Sequence, residues 1–316
     1  GTHSLFQNKI NFKKLGLIII DEQHKFGVKQ RMDLAKKGGD DCDVLLMSAT
    51  PIPRTMMMAF YGDLDTSKIT EKPLNRKPIL TLSKPEEKIH ELWPLIKNNI
   101  KNKNQIFWVC PLIEESKFLN YSSAVKKFDI IKKLFPNRVG LIHGSLTKEE
   151  KENVLNDFLN KKIDILISTT VIEVGIDFPN ANLIIIENSN KFGLAQLHQL
   201  RGRVGRGNRE GMCILLFKGN LSDKAIKRIK ILKSTDDGFI LAEEDMKLRG
   251  YGDIIGFQQS GAKFFKLADP VHHEDLFKLA ERNIKVEEDN LVTSEKYDLL
   301  LKLFDKAEII NQDNFN

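Results

Sequence analysis

The sequence predicts an α/β protein of parallel sheets flanked by helices, arranged in more than one domain. Three observations predict it. The chain has 316 residues, more than one hydrophobic core comfortably serves, since single cores stop growing at roughly 250–300 residues. Short continuous runs of branched apolar residues recur, which is how strands buried on both faces of a parallel sheet read. Helix-like stretches separate several of these runs, and that alternation implies parallel crossover units. At 41% hydrophobic and 29% charged, the chain is neither disordered nor fibrous.

Residues 15–20 (LGLIII) form the first such run and end abruptly in Asp21-Glu22. Residues 44–47 (VLLM) form the second and end in Ser48-Ala49-Thr50-Pro51. Both read as strands buried on both faces. The polar residues just past them sit where open α/β sheets bind ligands. Residues 71–85 carry Pro73, Pro78 and Pro85 with few large apolar side chains, and read as an interdomain linker. Residues 98–104 (NNIKNKN) read as a polar loop. Strands then follow at 106–110, 139–142, 163–167, 183–186 and 213–217, five strands of a second parallel domain. Thr147 and Glu150 have the spacing of a capping box. It opens a helix with Val154, Leu155, Phe158 and Leu159 on one face. Residues 225–233 and 239–249 read as helices, and Gly250 fits a left-handed cap after the second. A glycine-punctuated segment follows at 251–261, and the tail at 274–311 reads as mostly helical.

Composition narrows the function. Apolar runs are only a few residues long, whereas a membrane span needs about 20. The opening GTHSLFQNKI carries no signal-peptide pattern. Cys42, Cys110 and Cys213 are scattered, so neither a disulfide framework nor a zinc site is indicated, and a reducing, cytosolic setting fits. A net charge of +6 favours an anionic partner such as nucleic acid, although a lysine-rich solvated surface gives the same sum. The distribution says more. Of 49 basic residues 38 are Lys and 11 are Arg, yet Arg201, Arg203, Arg206 and Arg209 fall within nine positions. Arginine's planar fork suits phosphate recognition.

Four strings carry chemistry. In IIIDEQH (18–24) a buried strand delivers two adjacent carboxylates. Asp21 is placed to hold Mg²⁺ on a triphosphate, and Glu22 to orient or deprotonate the attacking water. An acidic turn after a strand would look the same; the Gln23-His24 that follow and a second motif downstream decide against it. That second motif is MSATPIPRT (47–55), about 26 residues on, offering the hydroxyls of Ser48 and Thr50 at a strand end. In QLHQLRGRVGRG (196–207), Arg203 and Arg206 lie three apart, one helical turn, so both can face one phosphate cluster. Guanidinium groups arriving from a second domain stabilise charge on a γ-phosphate; a basic loop for nucleic acid is the plainer alternative. STTVIEVGIDFPNANLIII (168–186) places Thr169 and Thr170 just past a strand, with Gly175 and Asp177 on the same connection.

DEQH, SAT, TTVIEVGID and QLHQLRGRVGRG, in this order and spacing, resemble motifs II, III, V and VI of superfamily 2 helicases. The longer strings IIDEQHKFGVKQR, SATPIPRT, VCPLIEESK and ENSNKFGLAQLHQLRGRVGRG resemble the bacterial RecG family of ATP-dependent DNA helicases, from Gly1 to about Ala280. The resemblance implies a partial RecA-like motor domain 1 at 1–75, a complete RecA-like motor domain 2 at 76–220, and a translocation element with helical tail at 221–316. It implies ATP and Mg²⁺ as cofactors, with Asp21 as metal holder and Glu22 as catalytic carboxylate. Gly175 and Asp177 would face the nucleotide, and Gln199 would lie near the γ-phosphate beside the fingers Arg203 and Arg206. His24, Ser48 and Thr50 would couple hydrolysis to DNA movement. Thr2, His143, Gly144 and Thr169 would contact DNA, as would Arg249, Gln258 and Gln259 in the translocation element. Tyr251 stands where the family pattern has proline, and Gln258 where it has a basic residue. Branched duplex DNA is the implied partner, for a monomer in the bacterial cytoplasm and nucleoid, with single-stranded DNA-binding protein as a further partner.

No G-x-x-x-x-G-K-[ST] occurs in the sequence. The chain therefore resembles the carboxyl-terminal portion of such a helicase, without its phosphate loop and DNA-binding wedge domain, and is expected to hydrolyse little ATP alone. Two other readings fit the same motifs. One is a translocase like the transcription-repair coupling factor. The other is a truncated, non-enzymatic nucleic-acid-binding fragment.

Overall fold

The computed structural model describes residues 1, 3–7, 9–23, 26, 28–39, 42–49, 65, 67–71, 76–111, 117–169, 178–207, 209–249, 273, 275–276 and 279–280. The chain divides into two compact units, one of Gly1–Asp63 with Ile255–Asn316 and the other of Leu64–Ile254.

In the first unit, strand β1 (Leu17–Ile20) pairs in parallel with β2 (Asp43–Leu46), and helix α1 (Val28–Gly38) crosses between them. Side chains alternate across a strand. Ile18 and Ile20 are therefore buried with Leu34 of α1, while Leu17 and Ile19 point the other way and stand 53% and 56% exposed. Leu45 of β2 is likewise 49% exposed. This corrects the expectation of strands buried on both faces. Among the described residues α1 covers only one side, so the continuous apolar run has a single buried face. The amino end of this unit is tied down by Lys37, whose ammonium donates to the carbonyls of Leu5, Gln7 and Ile10 at 3.1, 2.6 and 3.1 Å.

The second unit is built on six parallel strands: β3 (Ile79–Pro85), β4 (Gln105–Cys110), β5 (Val139–Ile142), β6 (Ile165–Thr169), β7 (Ala181–Ile186) and β8 (Gly211–Phe217). They are ordered β3-β8-β7-β4-β6-β5. Seven residues of the expected linker thus form an edge strand. Pro85 ends it, and proline is tolerated at an edge because no ladder hydrogen bond is lost there. Five helices are α2 (Trp93–Lys101), α3 (Lys117–Leu134), α4 (Lys148–Leu159), α5 (Leu194–Arg201) and α6 (Asp223–Ser234), and a sixth, α7 (Gly238–Arg249), packs on α5 and α6. Residues 98–101 close α2, which shortens the expected polar loop to Asn102–Asn104. Gly250 and almost all of 251–316 lie outside the described residues.

Alternation fills both faces of this sheet. Phe107, Val109, Leu166, Ile184 and Leu215 point to one side, where Leu155 and Phe158 of α4, Leu197 of α5 and Leu232 of α6 meet them. Ile106, Trp108, Ile167, Ile185 and Ile214 point to the other, against Ile96 of α2 and Ile131 of α3. Each fully buried side chain of this size contributes about 1.5–3 kcal/mol. The predicted capping box forms as expected: Thr147 Oγ1 accepts from the Glu150 N–H at 3.2 Å, and Glu150 accepts from the Thr147 N–H at 2.8 Å. Leu155 and Phe158 are buried on the predicted face, Val154 half-buried, and Leu159 40% exposed. No described helix is long and apolar enough to cross a membrane.

Candidate nucleotide and nucleic-acid sites

In the first unit the chain turns sharply as it leaves β1. Asp21 is exposed and Glu22 half-buried. The Glu22 N–H donates to Asp21 Oδ1 at 2.8 Å, fixing one carboxylate against the next residue's backbone. Glu22 has φ of +50°, a region non-glycine residues enter at a cost of about 1–3 kcal/mol, and one that clusters at functional sites. The surroundings hold it there. Met47 N–H donates to Ile20 O at 2.8 Å, and the N–H of buried Gln23 donates to Met47 O at 3.0 Å. Strand pairing thus continues past both strand ends and brings Asp21-Glu22 beside Met47-Ser48. An exposed carboxylate pinned by a backbone donor suits a hard cation that keeps most of its water, so Asp21 fits Mg²⁺. Thr2, His24 and Thr50 lie outside the described residues.

In the second unit the four clustered arginines separate into two kinds. Arg201, the last residue of α5, is 2% exposed. Its guanidinium donates to Leu232 O at 2.5 Å and Thr235 O at 3.0 Å, and lies 3.0 Å from His198 Nδ1. It satisfies carbonyls at the end of α6, and burial pulls its pKa down from the ordinary guanidinium value. Arg209 donates to Asn102 O at 2.7 Å and to Asn104 Oδ1, closing the turn after α2. Both are structural. Arg203 and Arg206 remain. The sequence placed them one helical turn apart, but α5 ends at Arg201, so they sit on the turn that follows. Gly205 in that turn has φ of +68°, which favours glycine. A Cβ on Gly207 would lie 2.6 Å from Pro179 O, so only glycine lets this turn pack against the chain leaving the 168–186 string. Arg206 Nε and Arg76 both donate to Gly202 O, at 3.2 and 3.0 Å, which orients the Arg206 head. Gln199 is half-buried on α5.

The carboxyl ends of β5 and β6 carry the proposed DNA contacts. Their register pairs Ile142 with Ser168, which sets His143 alongside Thr169. His143 is half-buried, and burial, reinforced by Lys151, holds its pKa below the ordinary imidazole value. Thr169 is 8% exposed and Gly144 exposed. Gly175, Asp177, Gln258 and Gln259 lie outside the described residues, as does the side chain of Arg249. Phe178 packs its ring 5.4 Å from both Phe107 and Phe158.

Sequence reasoning missed a buried polar cluster beside these strand ends. Glu187, 6% exposed at the end of β7, accepts from Trp108 Nε1 at 2.9 Å and meets Lys127 Nζ at 2.6 Å. Lys127 also lies 4.0 Å from Glu86, which meets Lys218 at 3.6 Å. Only the charge in an otherwise apolar run hinted at it. Burial, with Glu187 nearby, pushes the Cys110 thiol far up, and burial pushes Cys213 up to about 12, so neither is a reactive thiolate.

Known proteins share these features. Residues 87–208 match the helicase conserved C-terminal domain, and residues 235–312 match domain 3, C-terminal, of ATP-dependent DNA helicase RecG. The chain is 48% identical to ATP-dependent DNA helicase RecG of Thermotoga maritima, over 90% of this chain and 36% of that protein. It is 43% identical to that of Synechocystis, over 98% and 37%, and 44% identical to that of Escherichia coli O157:H7, over 89% and 41%. It therefore spans about two fifths of these relatives' length. A solved structure of RecG bound to a three-way DNA junction superposes with a TM-score of 0.67 at 44% identity, covering 88% of this chain and 35% of that one. Yeast Dbp5 bound to RNA and ADP BeF₃ superposes at 0.53 with 18% identity, a likeness of fold alone, over 78% of this chain and 67% of that one. In motif order, sequence and fold, the chain is similar to RecG helicases over most of its own length.

Proposed function

We propose that this chain is the part of an ATP-driven motor that remodels branched duplex DNA, such as stalled forks and four-way junctions, in recombination and repair. The observation that carries this is the fit to RecG held on a three-way junction, at 44% identity over 88% of the chain. We assign 1–75 to the end of motor domain 1, 76–220 to motor domain 2, and 221–316 to the translocation element and tail.

The residue roles rest on the motif resemblance and, for the described residues, are supported by their surroundings. Asp21 holds Mg²⁺, which neutralises phosphate charge when bound. Glu22 accepts a proton from the attacking water, its strained backbone aiming the carboxylate. Arg203 and Arg206 donate to the γ-phosphate oxygens as charge builds there, with Gln199 ordering the water. Gly175 and Asp177 face the nucleotide. His24, Ser48 and Thr50 transmit its state. Thr2, His143, Gly144, Thr169, Arg249, Gln258 and Gln259 contact DNA. The motor works as a monomer in the bacterial cytoplasm and nucleoid, with single-stranded DNA-binding protein as a further partner.

The test joins this sequence to a polypeptide bearing a G-x-x-x-x-G-K-[ST] loop. ATP hydrolysis should rise on adding a three-way junction, and Glu22→Gln should lower turnover by about a hundredfold or more. Turnover that survives Glu22→Gln unchanged would overturn the assignment. The 316 residues alone should turn over little ATP.

A further inference from the structure

Helix α6 carries a feature the motor reading does not use. Its sequence DKAIKRIKILKS places Lys224, Lys227, Lys230 and Lys233 at every third position. All four are exposed, and none forms an ion pair with a described carboxylate. Its other side holds the helix down: Ala225, Ile229 and Leu232 are buried, and Arg228 donates to Phe192 O at 3.5 Å. Positions three apart form one oblique ridge on a helix. With a rise of 1.5 Å per residue, the four ammonium groups spread over about 14 Å of axis.

Helix stability does not account for this row. Like charges three apart repel by about 0.2–0.5 kcal/mol per pair, and Lys224 lies in the first turn, where the helix dipole disfavours a cation. The carboxylates nearest in sequence are engaged elsewhere. Asp223 sits at the favourable amino end. Asp237 accepts from the N–H groups of Phe239 and Ile240, opening α7. Asp236 bears on buried Arg201. Some other lysines of this unit are matched to acids, such as Lys84 to Glu91, Lys127 to Glu187 and Lys162 to Asp157, and what sets α6 apart is the regular spacing of its four exposed lysines. The row also continues past the helix. Lys233 and Lys77 line one cleft at the start of β3, where Lys77 pairs with Glu210 at 3.8 Å.

We propose that the lysine ridge of α6 is a phosphate-backbone track for duplex DNA, separate from the contacts at the ends of β5 and β6. A DNA strand presents a phosphate about every 3.4 Å of axis, and the ridge turns about 60° around the helix per step, so the two or three neighbouring lysines that share one side meet successive phosphates. Lysine, a flexible point charge, suits sequence-independent contact that must be made and released as a motor moves. The inference rests on the DNA-motor reading above and adds a surface to it.

The experiment measures affinity of the 316-residue chain for a fluorescent duplex about 30 base pairs long across a salt series. The quadruple Lys→Gln variant at 224, 227, 230 and 233 is compared with one at Lys97, Lys101, Lys103 and Lys133, exposed lysines on and beside α2 and α3. Each phosphate left without its ammonium should flatten the log–log salt slope by about 0.9, so the ridge variant should lose about 2 to 3 and the control set little. Circular dichroism and melting temperature should match the parent's, since glutamine is as good a helix former as lysine. An equal loss in both sets means net charge alone, and overturns the proposal while leaving the motor reading intact. An unchanged slope in the ridge variant does the same. Competition by polyglutamate equal to that by DNA, charge for charge, assigns the ridge to an acidic polypeptide and overturns it as well. A parent chain that binds no duplex at low salt overturns both readings.

Discussion

The arginines at 201–209 show how one residue type serves opposite ends. Arg201 is buried and spends its donors on carbonyls at the end of α6. Arg203 is half-buried on the turn that follows α5. Truncating each should separate stability from chemistry. Arg201→Ala strips a charged donor from two carbonyls and should destabilise the second unit by roughly 2–4 kcal/mol, read by denaturant titration. Arg203→Ala should cost less stability than Arg201→Ala, and should remove junction-stimulated hydrolysis in the polypeptide joined to a phosphate loop. If both variants unfold at the same denaturant, the division is wrong. No spacing rule could have made this division, because it depends on where α5 stops. Glu22 and Gly205 were legible as residues worth noting, but their positive φ values became visible only with the backbone. His143 and Thr169 were named separately; the β5–β6 register is what pairs them.

Secondary structure was readable where local signals agreed. The capping box at Thr147 and Glu150 formed as its spacing required, because both halves of the signal are local. Thr147→Ala should cost about 1 kcal/mol in a thermal or denaturant melt. The Glu150 carboxyl lies below its ordinary 4.5, held there first by the Thr147 N–H. A depressed folded-state pKa stabilises above the unfolded value and is lost as pH falls through the folded one. Thr147→Ala keeps that backbone donor and removes the hydroxyl that also donates to Glu150 Oε2 at 2.9 Å, so only this part of its deficit should be lost as pH falls below about 4.5; a deficit independent of pH would mean the hydroxyl does not act on the carboxylate. Two elements were misread for non-local reasons. β3 looked like a linker because proline and polar residues dominate it, yet pairing with β8 over seven positions outweighs local propensity. β1 and β2 looked buried on both sides because a run of branched residues says how apolar a strand is, not how many faces are covered.

At the scale of the whole molecule, the two units differ in how much apolar surface they bury. The second has cores on both faces of six strands, and the first buries Ile18, Ile20 and Leu34 against one helix. Amides of β4, β6 and β7 should accordingly exchange with solvent more slowly than those of β1 and β2, measured by native-state hydrogen exchange. Equal protection would overturn this. The resemblance to RecG helicases was legible from four motif strings and longer ones around them. The proposed lysine ridge was less so, since it depends on which lysines stand exposed together in three dimensions. One further consequence follows from the indoles. The chain has two tryptophans, and both belong to the second unit. Trp93 and Trp108 stack with centroids 6.0 Å apart, and a lysine ammonium lies 5.8 Å from the Trp108 ring centroid. Intrinsic emission is thus an optical probe of one unit alone, silent about the carboxylates at 21–22. A melt followed by tryptophan emission will trail one followed by circular dichroism wherever the first unit opens early, and the gap between the two curves measures their independence.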